Sequence, residues 1–189
     1  MSDLMARMGE LCASATAGDS LVALGLGSCI GLVLLDRRKG VAGLAHIVLP
    51  AAEGHAELNP LKFADKAVPE LIRQVIALGG RKPMLEAVLV GGASMFSVSS
   101  ASLEVGQRND AAVREALAAR RIPVVAEATG GSRGRTIRVD VASGAVTVRE
   151  AGGRDEPLIE GTRSPAPARN TDETPTVAGW ADACGAGVS

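Results

Sequence analysis

The sequence is poor in aromatic residues, cysteine and histidine. The only aromatic residues among 189 are Phe63, Phe96 and Trp180. The core must therefore be built from Leu, Val, Ile and Ala, and aromatic platforms that stack on single-stranded nucleic acid are not expected. Three cysteines without a CxxC pair, together with two histidines, support neither a disulfide framework nor a zinc knuckle. We expect no metal and no cofactor.

The chain also has no large excess of positive or of negative charge. The chain has 20 Lys and Arg against 21 Asp and Glu, a formal net charge of -1, whereas a nucleic-acid binder needs a clustered basic surplus. The apolar stretch 21–35 contains three glycines and is shorter than the roughly 20 residues of a membrane helix. The N-terminus lacks the pattern of a secretory signal. The sequence predicts a protein of a reducing cytoplasm that neither binds nucleic acid nor is embedded in a membrane.

The composition changes near residue 150. Residues 161–189 consist largely of Gly, Ala, Pro, Ser and Thr and contain no Leu, Ile, Met or Phe. Such a segment cannot bury enough apolar surface to offset its ordering entropy. We predict one domain over residues 1–155 and a disordered tail over residues 156–189.

Strand and helix patterns alternate within the predicted domain. Residues 30–35 and 41–49 form a predicted hairpin whose first strand is buried on both faces, and residues 136–141 and 145–150 form a second around Ser143-Gly144. Apolar residues at helical spacing predict a helix after Asn59-Pro60 and another over residues 110–120, capped by Asn109. Further predicted strands cover residues 85–90 and 122–126. About seven strands and two main helices indicate an α+β domain.

A candidate nucleophile lies in the segment from Gly25 to Cys29, and His46 follows seventeen residues after the cysteine. A thiol is only partly ionised at neutral pH, so it needs a base to take its proton. A hairpin turn centred on Arg38 would bring Cys29 and His46 within one residue of facing each other. The backbone N–H groups at Gly27 and Ser28 are candidates for stabilising an oxyanion or binding substrate.

Other interpretations of these residues remain open. A cysteine beside glycines is commonly a small core residue, and a histidine at a strand end is commonly a satisfied polar group. A phosphate-binding loop is weakly supported, because a strand pattern rather than a helix follows Gly25-Leu26-Gly27. His46, His55 and one cysteine make a poor metal-ligand set.

The chain resembles the CheD family of chemoreceptor glutamine deamidases at five motifs in order. These are Leu24-Gly25-Leu26-Gly27-Ser28-Cys29, Ala45-His46-Ile47-Val48-Leu49-Pro50, Gly91-Gly92-Ala93-Ser94-Met95-Phe96, Gly106-Gln107-Arg108-Asn109 and Thr129-Gly130-Gly131 followed by Arg133 or Arg135. The resemblance implies a β-sandwich-like α+β fold with layered sheets and flanking helices, related to cysteine hydrolases of the toxin deamidase kind. It also implies that Cys29 is the nucleophile and His46 the base, that chemoreceptors are substrates, and that a CheC-like phosphatase is a partner.

One position departs from the family pattern. Members of the family carry Thr six residues before the cysteine, as the third member of the triad, and this chain has Ala23 there. A catalytic base normally needs a third group to hold its tautomer and orientation. The Ala23 carbonyl, another side chain or a water would have to take that role.

The function expected from these residues is hydrolysis of protein glutamine side chains to glutamate, with release of ammonia, through a thioester on Cys29. Two alternatives remain open. The substitution at Ala23 is compatible with a catalytically weak module that binds a CheC-like phosphatase or receptors, and the same Cys29–His46 pair could hydrolyse a receptor methyl ester.

Overall fold

The computed structural model describes residues 2–54, 58–94 and 100–161. Two short 3-10 helices cover Pro60–Lys62 and Lys82–Met84. The strands and α-helices are β1 Ser2–Met5, β2 Leu11–Ser14, β3 Asp19–Leu26, β4 Ile30–Asp36, β5 Val41–Ile47, α1 Ala64–Ala77, β6 Glu86–Gly91, α2 Ser100–Ala118, β7 Val124–Thr129, β8 Arg135–Asp140, β9 Val146–Glu150 and β10 Asp155–Ile159. Within these ranges no helix has the length and apolar character that crossing a membrane would require.

The strands form two five-stranded sheets stacked in layers. One sheet has the order β1-β3-β8-β9-β10, and the other has the order β2-β5-β4-β6-β7. One hydrophobic core lies between the two sheets, and the second lies between the β4-containing sheet and the two helices. The fold is therefore the expected α+β arrangement of layered sheets with flanking helices. The expected relationship to toxin deamidases stays a prediction.

Strand β4 lies at the centre of this arrangement. All seven of its residues are buried, because Ile30, Leu32 and Leu34 pack toward the helices while Val33 and Leu35 pack toward the other sheet. A strand covered on both faces has a continuous apolar sequence rather than an alternating one. The predicted hairpin of β4 and β5 and its doubly buried first strand are confirmed, and so is the hairpin of β8 and β9.

Helix α2 differs from its prediction. It begins at Ser100 rather than near residue 110, so Asn109 lies inside the helix and the predicted N-cap is wrong. Gly106 lowered the helical signal of the preceding segment. In the structure that glycine allows close packing, because a Cβ there would come within 2.6 Å of the Gly92 carbonyl oxygen. Tertiary packing thus favours helix where local propensity does not.

Strands β1, β2, β3 and β10 have no counterpart among the predicted strands. Strand β10 pairs with β9 and runs across residue 155, so strand structure continues four residues beyond the predicted end of the domain. The predicted tail falls mainly on residues 162–189, which lie outside the described residues, and it stays a prediction.

Asp36 anchors the end of β4 that lies away from Cys29. Its side chain is fully buried and accepts hydrogen bonds from the Arg81 main chain at 3.0 Å and from the Arg81 guanidinium at 3.1 and 3.2 Å. Burial by itself raises the pKa of Asp36, but the hydrogen bonds from Arg81 and from the Lys39 main chain outweigh it and hold the pKa below its ordinary value. The carboxylate is therefore more stable in the folded than in the unfolded chain.

We expect Asp36→Asn to lower the free energy of unfolding by about 2 kcal/mol at pH 7, because hydrogen bonds to a buried charged group are lost. Urea unfolding measures the change. The pKa of Asp36 is depressed in the folded state, so its contribution is present above about pH 4 and is lost as the pH falls through the folded value.

The matched control is Glu70→Gln, which removes an ion pair between Glu70 and Arg73 on the surface of α1. Exposed pairs contribute little to stability, so this variant should unfold like the parent. A difference between the parent and Asp36→Asn that stayed constant from pH 7 to pH 3 would contradict the assigned role of the Asp36 charge.

Candidate functional site

Cys29 ends a short loop that connects β3 to β4. The chain bends sharply as it enters this loop, because Gly25, near the end of β3, has a φ of 66° and the Gly27 N–H donates to the Gly25 carbonyl at 2.9 Å. Positive φ at this position is readily adopted by glycine. Cys29 is 8% exposed and belongs to the core between the two sheets. The thiol therefore lies at the edge of that core, next to a sharply folded backbone.

The register of β4 and β5 decides how Cys29 and His46 are related. His46 pairs with Gly31, and the same register extended by two residues places Cys29 opposite Val48. The turn between the strands covers residues 37–40 and is centred half a residue beyond Arg38. Cys29 and His46 are therefore two residues away from facing each other directly, and the predicted distance of one residue is wrong. An offset of two keeps both side chains on the same face of the sheet, whereas an offset of one would separate them. Diagonal neighbours of this kind have Cα atoms about 7 to 8 Å apart.

His46 is buried and is held at one ring nitrogen. Its Nδ1 lies 3.3 Å from the Ala6 carbonyl oxygen, while its Nε2 is buried without a hydrogen-bond partner among the described residues. A carbonyl can only accept, so this contact requires the proton on Nδ1 and leaves the Nε2 lone pair free. The imidazole thus presents an acceptor nitrogen at Nε2.

Ala6, whose carbonyl faces His46, is held in place by the sheet that contains β1 and β3. The Ala6 N–H donates to the Val22 carbonyl at 2.9 Å, which extends the parallel pairing of β1 with β3 by one residue. Ala23 follows Val22 and is fully buried in the same core as Cys29. The position where the family carries Thr therefore adjoins the segment that supplies the acceptor for His46.

Burial opposes charge on both candidate groups. It raises the pKa of the Cys29 thiol, against the lowering effect of the residue's own backbone N–H. It lowers the pKa of His46, against the raising effect of the hydrogen bond to Ala6. Both shifts favour the neutral forms, a thiol and an imidazole, near pH 7. A neutral imidazole is the form that can accept a proton.

Two glycine turns, the first at residues 91–92 and the second at residues 130–131, support the backbone around Cys29. The Gly92 N–H donates to the Cys29 carbonyl at 2.8 Å, and the Ala93 N–H donates to the Gly27 carbonyl at 2.7 Å. The second turn contacts the first, because the Gly130 N–H donates to the Gly91 carbonyl at 2.9 Å and the Gly130 carbonyl accepts from Arg135 at 2.6 Å. Their role is to shape the backbone, as is common for glycine-rich turns.

Helix α2 closes one side of the site. Asn109 is fully buried, and its side-chain amide donates to the Ser28 and Val48 carbonyls. Its exposed neighbour Arg108 lines an open cavity of about 430 Å³ together with Glu53 and residues 49–51 and 105.

The motif residues Met95 and Phe96, and the weak ligand candidate His55, lie outside the described residues. The described residues contain no cluster of three or more His, Cys, Asp or Glu side chains that could hold a metal ion.

Sequence reasoning singled out Cys29 and His46 as candidates, and it did not indicate that the Ala6 carbonyl contacts the His46 ring. No side-chain signal marks that residue, because only its backbone carbonyl is used. The buried role of Asn109 was also missed. Asn109 shares one helix with apolar core residues, which could have indicated that its side chain is buried. A buried amide requires hydrogen-bond partners.

Comparison with known proteins identifies similar chains. The family model described as "CheD chemotactic sensory transduction" matches residues 48–150. A Clostridium kluyveri protein described as "Probable chemoreceptor glutamine deamidase CheD" is 45% identical over 142 residues, which cover 72% of this chain and 88% of the relative. A Clostridium botulinum protein of the same description is 46% identical over 135 residues, which cover 70% and 83%.

Among solved structures, a Neisseria meningitidis protein aligns with a TM-score of 0.39 and 10% identity, over 68% of this chain and 63% of that one.

We expect Gly91→Ala to destabilise the fold strongly and to displace Cys29. The added Cβ would overlap the Cys29 carbonyl oxygen, and the φ of 114° is unfavourable for alanine. Strain and overlap together should cost about 3 kcal/mol or more in the free energy of unfolding, measured with urea. Gly152→Ala is the matched control, because that glycine also has positive φ but faces open space. Equal destabilisation by the two variants would contradict the close approach at Cys29.

Proposed function

This chain belongs to the CheD family, and we propose that it is a deamidase that converts glutamine side chains of chemoreceptors to glutamate with release of ammonia. Cys29 is the nucleophile and His46 the base in this proposal. The observation that carries it is the geometry of the pair: both side chains lie on one face of the sheet, and the His46 Nδ1 faces a carbonyl while its Nε2 has no hydrogen-bond partner in the part of the chain that the structure describes.

The first half of the reaction forms a thioester. The Cys29 thiol gives its proton to the His46 Nε2, and the sulfur attacks the carboxamide carbon of the substrate glutamine. The C–N bond then breaks, and the imidazolium gives its proton to the departing nitrogen, which leaves as ammonia. Because burial favours the neutral form of both groups, the proton transfer coincides with the attack of the sulfur on the carboxamide carbon, and no charged pair has to form beforehand.

The second half of the reaction restores the enzyme. The neutral imidazole takes a proton from a water molecule, whose oxygen attacks the thioester carbon and gives a tetrahedral intermediate. The C–S bond breaks, the thiolate recovers the proton from His46, and the product side chain is a carboxylic acid that ionises to glutamate. The net change is the consumption of one water and the release of one ammonia for each glutamine converted.

Backbone groups supply the remaining parts of the proposed machinery. The Gly27 N–H already donates to Gly25, so we assign the oxyanion to the N–H groups of Ser28 and Cys29, which come next in the loop. The Ala6 carbonyl takes the orienting role that Thr has elsewhere in the family, because it holds the Nδ1 proton of His46.

The expected consequence for the substrate is electrostatic. Each conversion adds one negative charge to a receptor helix, which increases repulsion between neighbouring helices and shifts the equilibrium between signalling states. A cytoplasmic location and a CheC-like phosphatase as a binding partner belong to the same proposal. We expect immobilised protein to retain such a phosphatase from a purified solution.

We expect Cys29→Ala and His46→Gln to abolish deamidation of a purified receptor fragment. Cys29→Ala removes the attacking sulfur, and His46→Gln removes the base that a buried thiol requires. Loss of either member of such a pair lowers the rate by about 10²-fold or more. Released ammonia and the mass increase from replacing NH₂ by OH, mapped to individual peptides, measure the reaction.

Cys12→Ala is the matched control, because Cys12 is a half-buried thiol on β2 whose sulfur donates to the Leu4 carbonyl. It should retain full activity, and so should Ala23→Thr if the Ala6 carbonyl is a sufficient acceptor. Full activity of Cys29→Ala would overturn the proposal. A methyl-esterified fragment assayed in parallel separates deamidation from ester hydrolysis.

A catalytically weak binding module is the second candidate, and the alanine at position 23 favours it. Thiol titration distinguishes the two. We expect alkylation of Cys29 by iodoacetamide to keep accelerating above pH 9 in the free protein, since burial raises the pKa of this thiol. When a receptor fragment is bound, alkylation of Cys29 should become slower, because the substrate glutamine then covers the sulfur. Peptide mapping separates Cys29 from Cys12, whose pKa burial raises to about 12.

Alkylation of Cys29 that is not slowed by the bound fragment would favour the binding module. Alkylation already complete at pH 7 without any fragment would instead show a thiolate–imidazolium pair at rest, contrary to the neutral pair proposed above.

A further inference from the structure

Asn109 makes two hydrogen bonds at the point where the β4–β5 ladder stops. Its Nδ2 donates to the Ser28 carbonyl at 3.0 Å and to the Val48 carbonyl at 2.8 Å. The last ladder pair at this end is Ile30 with Ile47. The amide therefore joins the two chains one step beyond the ladder, where Cys29 would face Val48.

The backbone itself does not make this connection in the described part of the chain. The N–H groups of Val48 and Leu49 donate to the Lys62 carbonyl, and the Cys29 carbonyl accepts from Gly92. Each chain is thus fixed to a different neighbour on leaving the ladder. Among the described residues, the Asn109 amide is what links the loop before Cys29 to the segment after His46.

The energetics argue against Asn109 as simple core packing. Its Oδ1 is buried without a partner among the described residues, and an unpaired buried acceptor is unfavourable. Core-facing positions further along the same helix are apolar, namely Val113 and Leu117. An apolar residue at position 109 would fill the space without that cost but could not bind the two carbonyls.

We propose that Asn109 is a positioning residue for the Cys29–His46 pair. It holds the Ser28 and Val48 carbonyls together and thereby sets the separation of the thiol and the imidazole. This inference rests on the function proposed above. Displacements of about 1 Å in a catalytic pair cost up to about 10²-fold in rate, so the effect should appear in kcat rather than in KM.

The test compares Asn109→Ala with Asp36→Asn. Both substitutions disturb buried hydrogen bonds at β4, but Asp36 lies at the opposite end of the strand from Cys29. At a temperature where circular dichroism shows every protein folded, we expect Asn109→Ala to lose about 10²-fold in kcat with KM changed less than about threefold. Asp36→Asn should keep kcat within about threefold. Asn109→Asp retains the size and removes the donors, so it should behave like Asn109→Ala.

Alkylation of Cys29 supplies a second signature that does not depend on the reaction. Release of the loop should make Cys29 react faster with iodoacetamide in Asn109→Ala, with a pH profile shifted toward that of a free thiol, while Asp36→Asn keeps the parent profile. Slower deamidation together with faster alkylation is the expected combination. Cys12, in the same molecule, serves as the internal reference.

The proposal is overturned if kcat in Asn109→Ala stays within about threefold of that in Asp36→Asn. Should Asn109→Ala not fold, Asn109→Ser carries the comparison, since its hydroxyl can keep one of the two donations. Failure of both to fold would also overturn the proposal, because the amide would then be needed for folding itself. If the parent protein deamidates nothing, the proposed function fails, and the alkylation profiles alone confirm or overturn the positioning role.

Discussion

The antiparallel pairing of β4 with β5 is the constraint on which the rest of the molecule depends. Side chains along a strand alternate between faces, so a slip of one residue would exchange every inward side chain of β4 between the two cores. Both cores are apolar, and each is packed by a different set of residues. The pairing of Gly31 with His46 then puts Cys29 and His46 on the same face, toward the core between the sheets. Packing and site geometry follow from one register.

Around that pair the site is built mainly from backbone groups. Carbonyls of Gly27, Cys29 and Gly91 are held by N–H donors from neighbouring turns, and the Ala6 carbonyl faces His46. Glycine is needed where one backbone approaches another, most clearly at Gly91, where a Cβ would overlap the Cys29 carbonyl. This construction suits a chain with few aromatic and polar core residues. The thiol and the imidazole are both buried, and burial favours the neutral form of each.

The parts of the fold that were predictable are those with a strong local pattern. The continuous apolar sequence of β4 and the turn residues between β8 and β9 marked strands that the structure confirms. Strands β1 and β2 are only four residues long and carry too short a pattern for recognition. The start of α2 was misplaced because Gly106 has low helix propensity, which close packing on Gly92 overrides. The turn centre was wrong by half a residue, which is within the ordinary uncertainty of boundaries.

The sequence by itself determined the chemistry available: one cysteine after a glycine-rich turn, one histidine on the second strand of the hairpin that follows, and motifs that identify the family. Only the tertiary structure decided how these groups are held. Ala6 is 40 residues from His46, and Asn109 is 61 and 81 residues from the carbonyls that it joins. Contacts at such separations depend on how sheets and helices pack, and local periodicity carries no information about them. Backbone acceptors are especially difficult to predict from sequence, because every residue has a carbonyl and its side chain does not indicate whether that carbonyl accepts a hydrogen bond.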